Sequence, residues 1–269
     1  RVSTLPTGYG ERVVMRLLRK DSGEKKLKDL ISDEKSLSTL QKNINSSQGM
    51  ILVTGPTGSG KTTTLYSILK EISSPSKNIL TAEDPIEYDM EGIGQVSIKE
   101  EIGLTFAQTL RSFLRQDPEV ILVGEIRDKE TVDIALKASL TGHLVFSTIH
   151  TNDAISTITR LINMGTPDYL IAAALSLVVA QRLARKNCSL CSVEDIDAMK
   201  NSKLLRSLGL TSEKASRAVI YKGKGCPPNT SGGCGGSGYK GRIGIYEILE
   251  IGKELKSAIL SGMSQTELK

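Results

Sequence analysis

Tryptophan is absent from this 269-residue chain, and three Phe with seven Tyr bring aromatics to only 4%. Stacking platforms for nucleic-acid bases therefore have little to work with. Long apolar runs are missing too. The longest, Leu170 to Ala180, holds eleven residues with Ser176 inside it, whereas a membrane-crossing helix needs about 20. No basic, apolar, small-residue leader follows Arg1. The start reads as a boundary inside a longer protein, with a domain upstream of it. Charge of one sign does not dominate: 35 Lys and Arg against 30 Asp and Glu leave +5, well short of a nucleic-acid polyelectrolyte. What is present is 39% hydrophobic and 24% charged, which excludes wholesale disorder and a collagen-like chain. The length suits one large core or two modest domains.

The texture changes along the chain. Val13 to Leu18 is aliphatic and β-branched enough for a strand. Residues 20–48 are rich in Lys, Ser and Asp and read as a linker plus one amphipathic helix over Ser36 to Ile44. Short apolar runs at Met50–Thr54, Asn78–Ala82, Glu119–Val123 and His143–Ser147 then read as buried strands. Helical periodicity falls between them, at Lys61–Ile72, Thr105–Arg115 and Lys129–Leu140, and continues at Asp153–Asn163 and Asp168–Ala184. Strands alternating with helices predict an α/β fold with a parallel-containing sheet. Residues 185–241 are Cys-, Lys-, Gly- and Ser-rich and read as a small loop-rich appendage. A strand over Ile243–Leu249 and a terminal helix from Gly252 follow.

Gly55, Pro56, Thr57, Gly58, Ser59, Gly60, Lys61 and Thr62 fit the phosphate-loop pattern G-x-x-x-x-G-K-[ST] in full, after a strand and before a helix. The glycines let backbone N–H groups close around phosphate oxygens, and the helix N-terminus adds a favourable dipole. Lys61 can reach the β- and γ-phosphates of ATP, and the Thr62 hydroxyl can ligate Mg²⁺. The strand ending Val123-Gly124-Glu125 is expected beside the phosphate-loop strand. Gly124 stands where an Asp is usual, so Glu125 is the candidate to orient and polarise the attacking water. Glu83, Asp84 and Glu87 crowd one turn, as metal- or water-organising acids or as a plain acidic turn.

The two histidines are His143 and His150. An offset of seven points them opposite ways on one continuous strand. His150, at the carboxyl end where ligands of parallel sheets bind, is the better γ-phosphate sensor, and His143 is the more structural. Arg1, Arg12 and Arg16 precede the nucleotide core and read either as arginine fingers or as a solvated basic face. Cys188 and Cys191 have knuckle spacing, and Cys226 and Cys234 follow with seven residues between them. Four thiolates suit tetrahedral Zn²⁺; unrelated thiols and a redox pair are the other readings.

Together these motifs resemble the secretion-ATPase superfamily, nearest the type II secretion and type IV pilus assembly ATPases. The matching stretches are residues 1–18, GPTGSGKTTT (55–64), TAEDPIEY (81–88), 110–128, TGHLVFSTIHTNDA (141–154), AQRLARKNC (180–188), CSLC and GYKGRIGIYEIL (238–249). The resemblance implies a RecA-like P-loop core with a tetracysteine zinc subdomain and the remnant of an N-terminal domain. Its divisions are 1–20 for the end of the second N-terminal domain and 21–48 for the linker and helix. The ATPase core is then 49–187, the zinc subdomain 188–241 and a C-terminal helical segment 242–269. It also implies a cytoplasmic homo-hexamer that docks on an inner-membrane platform protein and adaptor, peripheral to the membrane through those partners. ATP hydrolysis there extends a pilus or pseudopilus, and the tetracysteine segment points to assembly, not retraction. Glu125 and Glu87 match the family's catalytic carboxylates, and His150 its His-box contact. Arg1 and Arg16 match arginine fingers, and Thr63 extends the nucleotide-binding loop. A nucleic-acid translocase and a catalytically inactive nucleotide-binding scaffold are the rival readings. Sparse aromatics argue against the first, and intact Lys61, Thr62 and Glu125 against the second.

Overall fold

The structure, a computed structural model, describes residues 2–15, 25–207 and 209–262. An exposed antiparallel hairpin comes first, β1 (Val2–Thr7) with β2 (Gly10–Met15). The strand expected over Val13–Leu18 is thus the second arm of a hairpin; its last three residues, with Arg16, lie outside the described residues, as does Arg1. Then come α1 (Leu27–Leu30), α2 (Glu34–Ile44), β3 (Gly49–Thr54), α3 (Lys61–Ile72), β4 (Ile79–Glu83) and β5 (Gly94–Ser97). After them run α4 (Phe106–Phe113), β6 (Val120–Val123), α5 (Lys129–Leu140), β7 (Leu144–Ile149), α6 (Ala154–Asn163), α7 (Asp168–Ala174) and β8 (Leu175–Asn187). The chain finishes with β9 (Ser192–Glu194), α8 (Ile196–Lys200), α9 (Ser202–Ser207), α10 (Ser212–Arg217), β10 (Tyr221–Gly223), β11 (Tyr239–Glu250) and α11 (Lys253–Leu260).

Two compact units divide the chain: Arg1–Arg182 with Ile245–Lys269, and Leu183–Gly244. In the first, the central sheet has the order β11-β8-β3-β7-β6-β4-β5. Strands β8, β3, β7, β6, β4 and β5 pair in parallel. Alternate residues of each strand feed opposite faces. On β3, Met50 and Leu52 join the cluster beneath α4, α5 and α7, while Ile51 and Val53 join the one beneath α2 and α3. Burial on both faces is why these strands read as unbroken apolar runs. Each buried Leu or Ile contributes about 1.5–3 kcal/mol.

Helix starts follow their caps. Asp33, Thr105, Asp128 and Asp153 each accept a backbone N–H three residues on, which satisfies one otherwise orphaned donor per helix. Several expectations are corrected. The helix expected over Asp168–Ala184 stops at Ala174, and Leu175–Asn187 is a strand. Its apolar run is continuous, so periodicity does not separate helix from strand there; pairing along β3 and the β-branched Val178 and Val179 decide. Nor does β6 lie beside β3: β7 sits between them and pairs with both. The terminal segment from 242 starts as strand β11 and is helical only over Lys253–Leu260. Helix α1, with Leu27 fully buried, falls in the stretch expected to be linker.

Candidate functional site

Parallel pairing sets Thr54, Glu83, Val123 and Ile149 at the carboxyl edge of the sheet, and the chain leaves that edge through the phosphate loop, the acidic turn, Gly124–Glu125 and His150. The cleft there, about 170 Å³, is lined by Lys61, Thr62, Glu83, Glu87, Glu125 and His150 among others. Four segments distant in sequence therefore converge. The phosphate loop leaves β3 at Gly55, whose φ is +146° and whose missing Cβ would stand 2.3 Å from the Gln181 carbonyl oxygen. Only glycine fits. Gln181, buried on β8, donates from Nε2 to the Ser59 carbonyl at 2.8 Å. Ser59 Oγ is buried with no hydrogen-bond partner among the described residues. Pro56, Thr57 and Gly58 form the exposed tip of the loop.

Lys61 Nζ donates to the carbonyls of Gly55 at 2.9 Å and Pro56 at 3.2 Å. Burial pushes its ammonium below the ordinary lysine range, and the Glu125 charge opposes that. Thr62 is exposed into the cleft, and Thr63 follows on the first turn of α3. Glu125 Oε1 accepts from Arg127 Nη2 at 2.5 Å, and Glu125 Oε2 lies 3.8 Å from His150 Nε2. Arg127 also stands 3.7 Å from Asp84. Its guanidinium is held more firmly protonated by the Glu125 hydrogen bond. A Cβ on Gly124 would stand 3.1 Å from the Ala82 carbonyl oxygen and 3.4 Å from the Glu83 Cα. A side chain there would be tightly placed against β4, which would have to give by a few tenths of an ångström.

The two histidines are not on one strand. His143 precedes β7, with its Nδ1 3.0 Å from the Ala138 carbonyl oxygen at the end of α5, and stays out of the cleft. His150 follows β7. A hydroxyl network holds its turn: Thr54 Oγ1 donates to the Ile149 carbonyl at 2.8 Å, and the Thr151 N–H donates to Thr54 Oγ1 at 3.0 Å. Thr148 Oγ1 donates to the Gly124 carbonyl at 2.7 Å, tying the ends of β6 and β7 together. Sequence reasoning missed Arg127, Gln181 and the threonines, whose signal is purely spatial. Arg127 sits two residues after Glu125, and only its contact with that carboxylate singles it out.

In the second unit, β9 and β10 pair with Ser192 opposite Gly223. That register delivers Cys191 and Cys226 to one end of the ribbon. Two tight turns, Thr230 N–H to the Pro227 carbonyl and Gly233 N–H to the Thr230 carbonyl, take up the seven residues before Cys234. All four sulfurs lie within 4.8 Å of one another. Cys188 and Cys226 are 3.7 Å apart, as are Cys191 and Cys234. A tetrahedral shell with bonds of about 2.3 Å places sulfurs roughly 3.8 Å apart, so the cluster fits a zinc ion. The Cys226 and Gly238 N–H groups each donate to Cys234 Sγ at 3.2 Å, and the Cys226 bond leads in holding that thiol down to about 6.

The family model for the type II/IV secretion system protein matches residues 1–269. The chain is 49% identical over 269 residues to the type IV pilus assembly ATPase PilB of Thermus thermophilus, covering 100% of itself and 29% of that protein. It is 48% identical over 261 residues to the type II secretion system ATPase E of Vibrio cholerae, 97% of itself and 50% of the relative. Half or less of each relative's length is thus spanned. A crystal structure of the pilus retraction motor PilT with bound ADP superposes with a TM-score of 0.68 at 29% identity, over 96% of this chain and 62% of that one. With the whole chain matched and the phosphate loop, acidic turn and His150 turn meeting at one sheet edge, this chain belongs to the type II/IV secretion system protein family.

Proposed function

We propose that this chain is the ATP-hydrolysing core of a cytoplasmic hexameric motor that powers pilus or pseudopilus assembly. One observation supports this most: Lys61, Thr62, Glu87, Glu125 and His150 line a single cleft at the carboxyl edge of the sheet. Backbone N–H groups of Gly55–Gly60 and the α3 dipole hold the phosphates of ATP. Lys61 offsets charge on the β- and γ-phosphates. The cleft's donors are hard oxygens, which suit Mg²⁺ with Thr62 as its protein ligand. When bound, that ion neutralises charge between the β- and γ-phosphates.

Glu125 orients a water for in-line attack on the γ-phosphorus and takes its proton as the bond to the β-phosphate oxygen breaks. Arg127 and His150 flank that carboxylate on its two oxygens and fix its direction. Glu87 supplies a second carboxylate beside the cleft. Arg1 and Arg16 deliver charge to the transition state as arginine fingers. Cys188, Cys191, Cys226 and Cys234 hold a structural Zn²⁺ in the second unit, and none of them lines the cleft. Residues 1–20 serve as the end of a second N-terminal domain, 21–48 as linker and helix, 49–187 as ATPase core, 188–241 as zinc subdomain and 242–269 as C-terminal helical segment. The partners are an inner-membrane platform protein and its adaptor, which hold the motor peripherally at that membrane; nucleic acid is not a ligand. The names of the relatives and the cysteine cluster support assembly over retraction.

Glu125→Gln tests this reading. The amide keeps the shape but is a poor base, so nucleotide binding should persist while turnover falls on the order of 10²-fold or more. Turnover near the wild-type rate in a phosphate-release assay would remove Glu125 from the role given to it.

A further inference from the structure

The acidic turn contains one carboxylate that is already committed. Glu83 is 4% exposed. Its Oε1 accepts from Thr81 Oγ1 at 2.6 Å and from Gln95 Nε2 at 3.1 Å, and its Oε2 accepts from the Tyr66 hydroxyl. With both oxygens bonded, Glu83 is an anchor and not a base for water. Tyr66 is 1% exposed and lies on α3, four residues beyond Thr62. Besides donating to Glu83, its oxygen accepts the Glu87 backbone N–H at 3.4 Å. The Tyr88 ring packs edge-on against it, centroids 4.6 Å apart at 76°. Burial first, and the Glu83 bond second, keep the Tyr66 phenol protonated and so a donor.

We infer that Tyr66 is a positioning residue: its hydroxyl, set between the Glu83 carboxylate and the Glu87 backbone, clamps the acidic turn to the phosphate-loop helix and so aims Glu87 at the cleft. No other side chain of α3 bonds both ends of that turn among the described residues. The two pieces meet only through tertiary packing, and each presents a group to the same substrate. A rigid joint between them keeps Lys61 and Glu87 in a constant relation when the loop closes on phosphate. The inference rests on the reading that Glu87 acts at the cleft.

A double-mutant cycle on the assembled full-length ATPase tests it. Tyr66→Phe keeps the ring and removes one oxygen. Its kcat should fall about tenfold, the scale of a small misplacement of a reacting group, while KM for ATP and the affinity for a non-hydrolysable ATP analogue stay within about twofold. In a Glu87→Gln background the same change should add less than about twofold, because the group it aims is gone. Full multiplication of the two effects, a rise in KM with kcat unchanged, or wild-type kcat in Tyr66→Phe beside a slow Glu87→Gln would each overturn the clamp while leaving Glu87 its role. Wild-type turnover in Glu87→Gln would overturn that role and the clamp together. If thermal melting shows Tyr66→Phe unfolded, Glu83→Gln replaces it in the same cycle. That variant keeps the shape, weakens the same bond, and carries the same expectation of non-additivity.

Discussion

Gly124 shows how one missing side chain shapes the site. The strand edge at Ala82 and Glu83 closes so near it that a Cβ would be 3.1 Å from a main-chain carbonyl. That carbonyl belongs to β4, buried on both sides, and cannot retreat cheaply. The acid is displaced to Glu125, where Arg127 and His150 frame its two oxygens. Gly124→Ala should therefore lower stability by about 1–3 kcal/mol, the cost of overpacking, read as a lower Tm. An unchanged Tm would mean that β4 gives way more easily than its packing implies. Lys61 is the counterpart on the other wall. Its ammonium already touches the loop's own carbonyls at Gly55 and Pro56, so the loop and its cation are positioned as one piece.

Element by element, the same economy recurs. Helix α3 opens with Lys61 and Thr62 at the cleft and, one turn later, uses Tyr66 to meet β4 and its acidic turn. The second unit is organised around its cysteines: the β9–β10 register brings Cys191 and Cys226 together, and the turns before Cys234 and the end of β8 before Cys188 complete the cluster where Gly and Ser offer little apolar surface to bury. A zinc ion held there would tie the four cysteine-bearing segments together. Metal analysis should find about one zinc per chain. Cys188→Ser should lower the melting temperature of residues 183–244 with nucleotide affinity unchanged, because the cluster and the cleft lie in separate units. A metal-free preparation that melts like the wild type would remove the zinc from its structural role.

At the scale of the whole molecule, the chain spans 29% and 50% of two relatives that it matches over 100% and 97% of its own length, and the proposed motor acts as a ring. Arg16 precedes the phosphate loop by about forty residues. As the arginine finger proposed above it acts in the transition state more than in the ground state, so its loss should cut turnover more than binding. Mixing Arg16→Ala with Glu125→Gln subunits, each nearly inactive alone, should restore activity if the finger works between subunits. No recovery at any ratio, with hexamers confirmed, would place the arginine within its own subunit or outside the chemistry.

Much of this was legible in the residues alone, and the division has a physical basis. The phosphate loop, the helix over Lys61–Ile72 and the helix over Lys129–Leu140 rest on local chemistry: glycines where φ turns positive, a cap at Asp128, apolar residues on one face. Such signals sit within a few residues of what they specify. The apolar strands were legible for the same reason, but not their neighbours. That β7 separates β3 from β6, and that Leu175–Asn187 is a strand, depend on pairing between segments far apart in the chain. An apolar run buried on both faces carries no mark of its partner. Within the site, residue type and position singled out Lys61, Glu125 and His150, and the family resemblance set Glu87 apart from Glu83. Only the tertiary structure supplied the physical reason that Glu83 is committed elsewhere: Tyr66, Thr81 and Gln95, from segments that meet only on folding, close around its two oxygens.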